Sequence, residues 1–158
     1  MKLYAYDHVE DTSTFAYEKL RQILKQDYNY EFNKFIYNKF NKPYLPTDNI
    51  YFNISHCKDI VVIAINDKEI GVDIEFYDRY NTKYLDQIFS TKEIEQIKKS
   101  TNPNKEYSIL WCMKESLLKC IGTGIKKDMK HVLENKDLYN FNIEEYKEYC
   151  IVICTIKK

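Results

Sequence analysis

Two carboxylates stand two residues apart in the apolar segment that runs from Ile70 to Phe76. Because the side chains of a β-strand alternate between its two faces, Asp73 and Glu75 share one face, with backbones roughly 7 Å apart. At that spacing both carboxylates can bind one cation. The same alternation is typical of a strand with one face in water, so this segment alone leaves a metal site and a solvated face as alternatives.

A second charged pair lies on a helix that the apolar periodicity predicts over residues 104–121. Glu115 and Lys119 are four residues apart and therefore adjacent on one helix face. The alternative to a site is an ordinary surface ion pair, worth roughly 0.2–0.5 kcal/mol. Lys114 lies nearer the apolar stripe, so we expect its stem to pack there while its amine reaches water, without a catalytic role. The predicted apolar stripe consists of Leu110, Met113, Leu117 and Ile121.

A third polar group, Ser55 and His56, follows an apolar segment. We expect a hairpin whose loop is formed by residues 56–59, which places both side chains at its tip. There they can donate hydrogen bonds to a phosphate, or they can simply bond the local backbone of the turn. Adjacent Ser and His residues do not by themselves indicate a nucleophile and its base.

The remaining pattern mixes strands and helices along the whole chain, which predicts an α+β fold. Residues 60–65 form a continuous apolar run, so we expect a strand that is buried on both faces. Thr91, with Glu93 beyond it, is the expected N-cap of a further helix, and Gly122 and Gly124 end the helix that carries Glu115. The other predicted elements are strands near residues 2–7, 50–55, 70–76 and 149–156, and a helix that ends near residue 26.

The composition restricts the class of protein. A chain of 158 residues with 44% hydrophobic and 30% charged residues is typical of a globular protein with one domain or two small lobes. The 24 Lys and Arg residues balance the 24 Asp and Glu residues, so no overall basic field attracts nucleic acid. We also expect no signal peptide and no membrane span. Five cysteines without a CxxC pair favour a reducing, cytoplasmic compartment.

Three segments, taken together and in this order, resemble the 4′-phosphopantetheinyl transferase superfamily. The resemblance is closest to its two-lobed, surfactin-synthetase-activating type, in a shortened form. That family carries an Asn-x-Ser-His segment, then Gly-(Ile/Val)-Asp-x-Glu, then Trp-x2-Lys-Glu-x3-Lys. Residues 53–56, 71–75 and 111–119 match these patterns, and the Lys-Pro pair at residues 42–43 resembles a segment that precedes the first of them.

The resemblance implies a site in which carboxylates hold Mg²⁺ on the pyrophosphate of coenzyme A. It implies catalytic roles for Lys119, in contact with the pyrophosphate, and for Glu115, which would deprotonate the acceptor serine either directly or through a metal-bound water. The implied metal ligands are Asp73, Glu75 and Glu115. The implied coenzyme A-binding residues are Lys42, Ser55, His56 and Lys119.

The resemblance also implies two similar lobes, related by a pseudo-twofold axis, each a small antiparallel sheet packed with a helix. Residues 1–66 would form the first lobe and residues 67–158 the second, which carries the metal site. The active site would lie in the cleft between them.

The implied activity is magnesium-dependent transfer of 4′-phosphopantetheine from coenzyme A to a serine of an apo acyl or peptidyl carrier protein. Adenosine 3′,5′-bisphosphate would leave, as in a phosphopantetheinyl transferase of the holo-[acyl-carrier-protein] synthase type. Neither nucleic acid nor a membrane is expected as a partner. Fatty acid, polyketide and nonribosomal peptide pathways stay open. Two other functions remain: a non-catalytic relative that binds coenzyme A or a carrier, and a different metal-dependent phosphodiester enzyme.

Overall fold

The computed structural model describes residues 1–124 and 128–157. Within these residues, eight strands and four α-helices follow one another, with short 3₁₀ turns at Thr82–Tyr84 and Lys136–Leu138. The strands are β1 (Lys2–Tyr6), β2 (Ile36–Tyr37), β3 (Pro43–Tyr44), β4 (Tyr51–Cys57), β5 (Ile60–Asn66), β6 (Ile70–Phe76), β7 (Tyr139–Glu145) and β8 (Tyr149–Ile156). The helices are α1 (Thr12–Tyr28), α2 (Leu85–Ile88), α3 (Thr91–Lys99) and α4 (Pro103–Ile121).

The strands form two antiparallel three-stranded sheets and one small ribbon. The first sheet has the order β1-β5-β4, the second has the order β6-β8-β7, and β2 pairs with β3. This arrangement of small antiparallel sheets packed with helices confirms the predicted α+β class. The first sheet comes from residues 2–66 and the second from residues 70–156. The division into two lobes, their pseudo-twofold relation and the cleft stay predictions.

Strand β5 lies at the centre of the layers, because both of its faces are covered. Ile63 packs with Leu20 of α1 on one face, while Val62 packs with Val72 of the second sheet on the other. The prediction that this apolar run is buried on both faces is therefore confirmed. Each such aliphatic side chain contributes about 1.5–3 kcal/mol to the free energy of unfolding when fully buried.

Helix α4 lies directly on β6, and a glycine makes that contact possible. A Cβ atom at Gly71 would lie 1.9 Å from the carbonyl oxygen of Ser116 and 2.4 Å from the backbone nitrogen of Cys120. No side chain fits in that space, so glycine is required for the helix to approach the strand. The helix ends at Gly122, whose φ of 72° is left-handed, as its position in the sequence predicts.

Two local predictions are wrong. Helix α3 is capped by Ser90, whose hydroxyl accepts a hydrogen bond from the Glu93 backbone while the Glu93 carboxylate accepts one from the Ser90 backbone. Because of this capping box, the N-cap is one residue before the predicted N-cap, Thr91. Strand β7 was not predicted, although its apolar and polar residues alternate, because asparagine and glutamate are depleted in strands.

The expected environment of α4 also needs correction. Ile121, assigned to the apolar stripe, is 37% exposed, whereas Ser116 and Lys114 are buried. The Lys114 amine does not reach water, because it donates to a Glu93 carboxylate oxygen at 3.0 Å and to the Met129 carbonyl at 2.9 Å. The helix is enclosed by the second sheet, by α3 and by the segment after residue 128. Among the described residues, no helix is long and apolar enough to cross a membrane.

Candidate functional site

Three carboxylates gather where α4 covers β6. Asp73 and Glu75 lie on the face of the strand that the helix covers, and Glu115 lies on the helix itself. Their exposed fractions are 4%, 5% and 8% respectively. The alternative of a solvated strand face is therefore wrong, and so is that of an ordinary surface Glu–Lys pair. Carboxylates this deeply buried are costly unless cations or hydrogen-bond donors compensate their charge.

Lys119 is the cation nearest to Asp73. Its Nζ lies 2.6 Å from Oδ1 of Asp73 and donates a second hydrogen bond, at 2.8 Å, to the hydroxyl of Ser55. That hydroxyl in turn donates to the same Asp73 oxygen at 2.8 Å. Helix, first sheet and second sheet each supply one member of this network, so it joins three separate elements.

Strand β4 turns one of its faces towards the second sheet. The side chains on this face lie along the unpaired edge of β6. The Oδ1 atom of Asn53 accepts a hydrogen bond from the Val72 backbone at 2.9 Å, in the position where another strand would otherwise pair. Two residues further, Ser55 donates to Asp73. These two contacts fix the register between β4 and β6, and with it the position of the Asp73 carboxylate.

Glu75 is held by two donors on its own side of the site. Arg79 donates to its Oε1 atom, and the indole nitrogen of Trp111 donates to the same oxygen at 3.0 Å. Burial nevertheless raises the pKa of Glu75 to about 7, and the nearby charge of Asp73 adds to that increase. At neutral pH this carboxyl group is therefore only partly ionised.

Glu115 has the least compensated charge of the three. Burial raises the pKa of its carboxyl group, and the charge of Asp73 raises it further, while Lys119 opposes both effects. Among the described residues, neither Oε1 of Glu115 nor Oδ2 of Asp73 has a hydrogen-bond partner, although both atoms are buried. Buried carboxylate oxygens without a donor are uncommon in folded proteins and call for a bound cation or water.

The donor chemistry of the site fits Mg²⁺, which binds oxygen atoms from one or two carboxylates together with phosphate and water. The two partnerless oxygens of Asp73 and Glu115 are of this kind. In the part of the chain that the structure describes, however, no three His, Cys, Asp or Glu side chains are grouped closely enough to hold one ion. Asp73 is engaged by Lys119 and Glu75 by Arg79. The set of three metal ligands therefore stays a prediction.

The structure separates Ser55 from His56. Strand β4 continues through Cys57, so the turn contains only Lys58 and Asp59, and the predicted loop over residues 56–59 is wrong at its first two positions. Since adjacent strand residues face opposite ways, Ser55 points towards Asp73 while the exposed His56 points to the other face. His56 is thus not brought together with the carboxylates.

Lys42 lies at the end of α4 and away from the acidic group. Its amine forms an ion pair with Glu69 at 2.8 Å and donates to the carbonyl oxygen of Cys120 at 3.1 Å. Its neighbour in the ribbon, Asn38, donates to the carbonyl oxygen of Gly122 at 2.9 Å. Lys42 and Glu69 also line a cavity of about 410 Å³. The role of Lys42 in binding coenzyme A stays a prediction.

The contacts that Arg79, Asn53 and Trp111 make in the site were not predicted. Arg79 lies in the turn after β6, where no periodicity indicates the direction of a side chain. Asn53 belongs to a recognised segment but had no assigned role. A signal existed for it, because Asn53 and Ser55 are two residues apart and must share a face of β4.

Known proteins match the part of the chain that contains β6 and α4. A family model described as the 4′-phosphopantetheinyl transferase superfamily matches residues 69–152. The chain is 37% identical over 90 residues to "4′-phosphopantetheinyl transferase gsp" of Aneurinibacillus migulanus, which covers 56% of this chain and 38% of that protein. It is 34% identical over 91 residues to a 4′-phosphopantetheinyl transferase of Bacillus subtilis, covering 55% and 40% of the two chains.

A third relative, "4′-phosphopantetheinyl transferase ffp" of Bacillus subtilis, is 32% identical over 113 residues, which is 67% of this chain and 50% of that protein. The alignments thus span half the length of these relatives or less.

Proposed function

This chain belongs to the 4′-phosphopantetheinyl transferase superfamily, and from that membership we propose that it transfers 4′-phosphopantetheine from coenzyme A to a serine of an apo carrier protein. The observation that carries the proposal is the pair of partnerless carboxylate oxygens, on Asp73 and Glu115, close to the amine of Lys119. An oxygen-lined, acidic site with one lysine ammonium group suits the binding of a diphosphate through a divalent metal ion.

In this proposal Asp73 and Glu115 hold Mg²⁺, with Glu75 as the third ligand once its contact with Arg79 is given up. When bound, Mg²⁺ neutralises charge on the pyrophosphate of coenzyme A. The arrangement agrees with the burial of all three carboxyl groups, because a cation lowers the free energy of ionised, desolvated carboxylates.

Lys119 is proposed to donate to the pyrophosphate and to stabilise the charge that develops there. The serine oxygen of the carrier forms a bond to the phosphorus next to the pantetheine arm. The P–O bond to the second phosphate breaks, and adenosine 3′,5′-bisphosphate leaves with the bonding electron pair. The ammonium group of Lys119, which contacts Asp73, would act there by electrostatic stabilisation.

Glu115 is proposed to accept the proton of the carrier serine. Its carboxylate has a raised pKa and one oxygen without a partner among the described residues. The proton would reach this carboxylate either directly or through an intervening water, and both routes stay open. The nucleophile belongs to the carrier protein, which is consistent with the absence of a Ser–His pair in the described site.

The test is a loading assay with purified protein, coenzyme A and Mg²⁺, in which intact-mass spectrometry follows apo carriers. We expect the carrier to gain one phosphopantetheine and the reaction to stop when EDTA replaces Mg²⁺. A fatty-acid carrier and a peptidyl carrier are assayed side by side, because preference for the first would indicate a holo-[acyl-carrier-protein] synthase activity. Binding of coenzyme A without transfer to either carrier would contradict the proposal and favour a non-catalytic relative. Hydrolysis of phosphodiesters instead would indicate another metal-dependent enzyme.

A further inference from the structure

Ser55 connects the lysine and the aspartate of the site through one hydroxyl group. Its Oγ donates to Oδ1 of Asp73 at 2.8 Å and accepts from Nζ of Lys119, also at 2.8 Å. Because Nζ lies 2.6 Å from the same Oδ1, the three atoms form a closed triangle. Ser55 and Asp73 are only 6% and 4% exposed. Hydrogen bonds to charged groups that are shielded from water in this way are strong.

The hydrogens of the triangle are all used on Ser55 but not on Lys119. A serine hydroxyl group has one hydrogen, and Asp73 accepts it. An ionised phosphate group offers only acceptors, so Ser55 has to give up its bond to Asp73 in order to donate to one. The ammonium group of Lys119 has three hydrogens, and its acceptors among the described residues are Ser55 and Asp73. One hydrogen of Lys119 is therefore left for a phosphate oxygen.

Strand β4 fixes the hydroxyl group of Ser55 independently of α4. Ser55 pairs with Val62 of β5, and Asn53, on the same face of β4, accepts a hydrogen bond from the Val72 backbone at 2.9 Å. Lys119 reaches the site differently, through a flexible four-carbon side chain that is 27% exposed. Its amine thus depends on its acceptors for a defined position, and Ser55 is the acceptor that comes from the first sheet.

We propose that Ser55 is a positioning residue, whose hydroxyl group holds the ammonium group of Lys119 beside Asp73 and leaves one ammonium hydrogen for the pyrophosphate of coenzyme A. This inference rests on the proposed function, in which Lys119 stabilises the charge that develops on the pyrophosphate. Ser55 touches no reacting atom and acts through Lys119. Stabilisation by a fixed donor depends on where that donor lies, so loss of the hydroxyl group slows transfer more than it weakens the binding of coenzyme A.

Two other roles of Ser55 predict different results. Ser55 could bind the nucleotide end of coenzyme A, as the resemblance to the family implies, or it could only hold β4 against β6. Ser108 is the matched control for the second role. Its buried hydroxyl group joins α4 to β6 by donating to the carbonyl oxygen of Phe76 at 2.9 Å, and it lies about three helical turns before Lys119 on α4.

The first test measures carrier loading with coenzyme A and with 3′-dephospho-coenzyme A. Ser55→Ala should lower kcat about tenfold or more with both substrates and change KM less than about threefold. Ser55→Cys keeps the shape of the side chain but forms weaker hydrogen bonds, so it should lower kcat as well. Ser108→Ala should load at the normal rate. A normal kcat in folded Ser55→Ala, or a loss confined to KM for coenzyme A and absent with the dephosphorylated substrate, would overturn the proposal.

The second test does not depend on transfer. Trace acetylation of the folded protein with acetic anhydride, followed by peptide mapping with mass spectrometry, gives the labelling rate of Lys119 relative to that of the exposed Lys99. In Ser55→Ala this rate should rise at least about threefold, because the amine has one acceptor fewer and its side chain is flexible. Ser108→Ala should leave it unchanged.

The labelling rates separate the two proposals. An equal Lys119 rate in Ser55→Ala and in the unmodified protein would overturn the positioning role, even where the unmodified protein loads carriers. A higher Lys119 rate in Ser55→Ala, combined with no carrier loading by the unmodified protein, would contradict the proposed function and support the hold of Ser55 on Lys119.

Discussion

The amine of Lys119 lies 2.6 Å from Oδ1 of Asp73, and the hydroxyl of Ser55 contacts both of them. In this arrangement the ammonium group of Lys119 compensates the charge of the aspartate. Only one oxygen of Asp73 is engaged, and Oδ2 is without a hydrogen-bond partner among the described residues. In the proposed function, Oδ2 would be the atom of Asp73 that holds Mg²⁺, while Lys119 keeps its contact with Oδ1 or donates to a phosphate.

The first prediction concerns the two carboxyl groups that each have a buried oxygen without a hydrogen-bond partner among the described residues. Asp73→Asn and Glu115→Gln should each lower the rate of carrier loading by about 10²–10³-fold, because each removes a negative ligand while keeping the shape of the side chain. Glu95→Gln, at an exposed position of α3, is the matched control and should load at the normal rate. Normal loading by Asp73→Asn, in a folded protein with Mg²⁺ present, would show that the site assignment is wrong.

The second prediction separates two adjacent residues. Ser55→Ala should lower the free energy of unfolding by about 1–3 kcal/mol, because it removes hydrogen bonds to two charged groups in a buried network. His56→Ala should change it by less than about 0.5 kcal/mol, since His56 is exposed on the opposite face of β4. Urea unfolding measures both values. Equal losses in the two variants would contradict the placement of the β4 faces.

The third prediction is a dependence of stability on pH that comes from Glu75. Its pKa is about 7 in the folded protein and near 4.5 in an unfolded chain. Between these values the folded state keeps a proton that the unfolded state has released, so the free energy of unfolding falls as the pH rises. The raised pKa of Glu75 lowers the free energy of unfolding by a total on the order of 3 kcal/mol, and this loss is complete above pH about 7.

Glu75→Gln removes this ionisation. In EDTA we expect the variant to be more stable than the unmodified protein at pH 8 and nearly equal to it at pH 5, where Glu75 is mostly protonated. Thermal unfolding at both pH values measures the difference. A stability difference that does not change between pH 5 and pH 8 would mean that Glu75 ionises normally.

The sequence determined most of the architecture because the apolar periodicity was strong where burial is complete. The burial of both faces of β5 and the helical conformation of α4 followed directly from the spacing of their apolar residues. The shared face of Asp73 and Glu75 followed from the period of a strand. Periodicity does not show what covers a strand. A strand in which charged and apolar residues alternate has the same pattern whether water or a helix covers its charged face.

Other features of the site depended on contacts that no sequence pattern specifies. Arg79 reaches Glu75 from a turn, and Lys114 reaches Glu93 on another helix. Neither pairing has a spacing that a sequence pattern fixes. The wrong assignment of His56 had a different cause. The predicted end of β4 was two residues too early, so His56 was assigned to a loop although it belongs to the strand.

The fourth prediction concerns the buried ion pair of α4. Lys114→Met should lower the free energy of unfolding by about 3–5 kcal/mol, because the largely buried Glu93 carboxylate loses its cation. Adding Glu93→Gln should restore part of that loss, although it also weakens the cap of α3. Chemical denaturation of the two single variants and the double variant gives the coupling energy. Strictly additive losses would show that the two charges do not interact.

The fifth prediction uses two glycines with opposite surroundings. Gly71→Ala should lower the free energy of unfolding by more than about 3 kcal/mol, because its Cβ would lie 1.9 Å from the carbonyl oxygen of Ser116. Gly124→Ala should cost only about 1 kcal/mol, which is the strain of its φ of 66°. At Gly124 no atom of the described residues lies within 4 Å of the added group. Similar melting temperatures for the two variants would contradict the close approach of α4 to β6.

The hydrogen bond from Val72 to the side chain of Asn53 has a consequence beyond the site. Strand β6 is at the edge of its sheet, and the unpaired backbone groups of an edge strand are a template on which strands of other molecules can add. The amide group of Asn53 occupies one of these positions, and β4 covers the edge along its length. The residues that align Asp73 therefore also protect the protein against intermolecular strand addition, the first step of aggregation through exposed sheet edges.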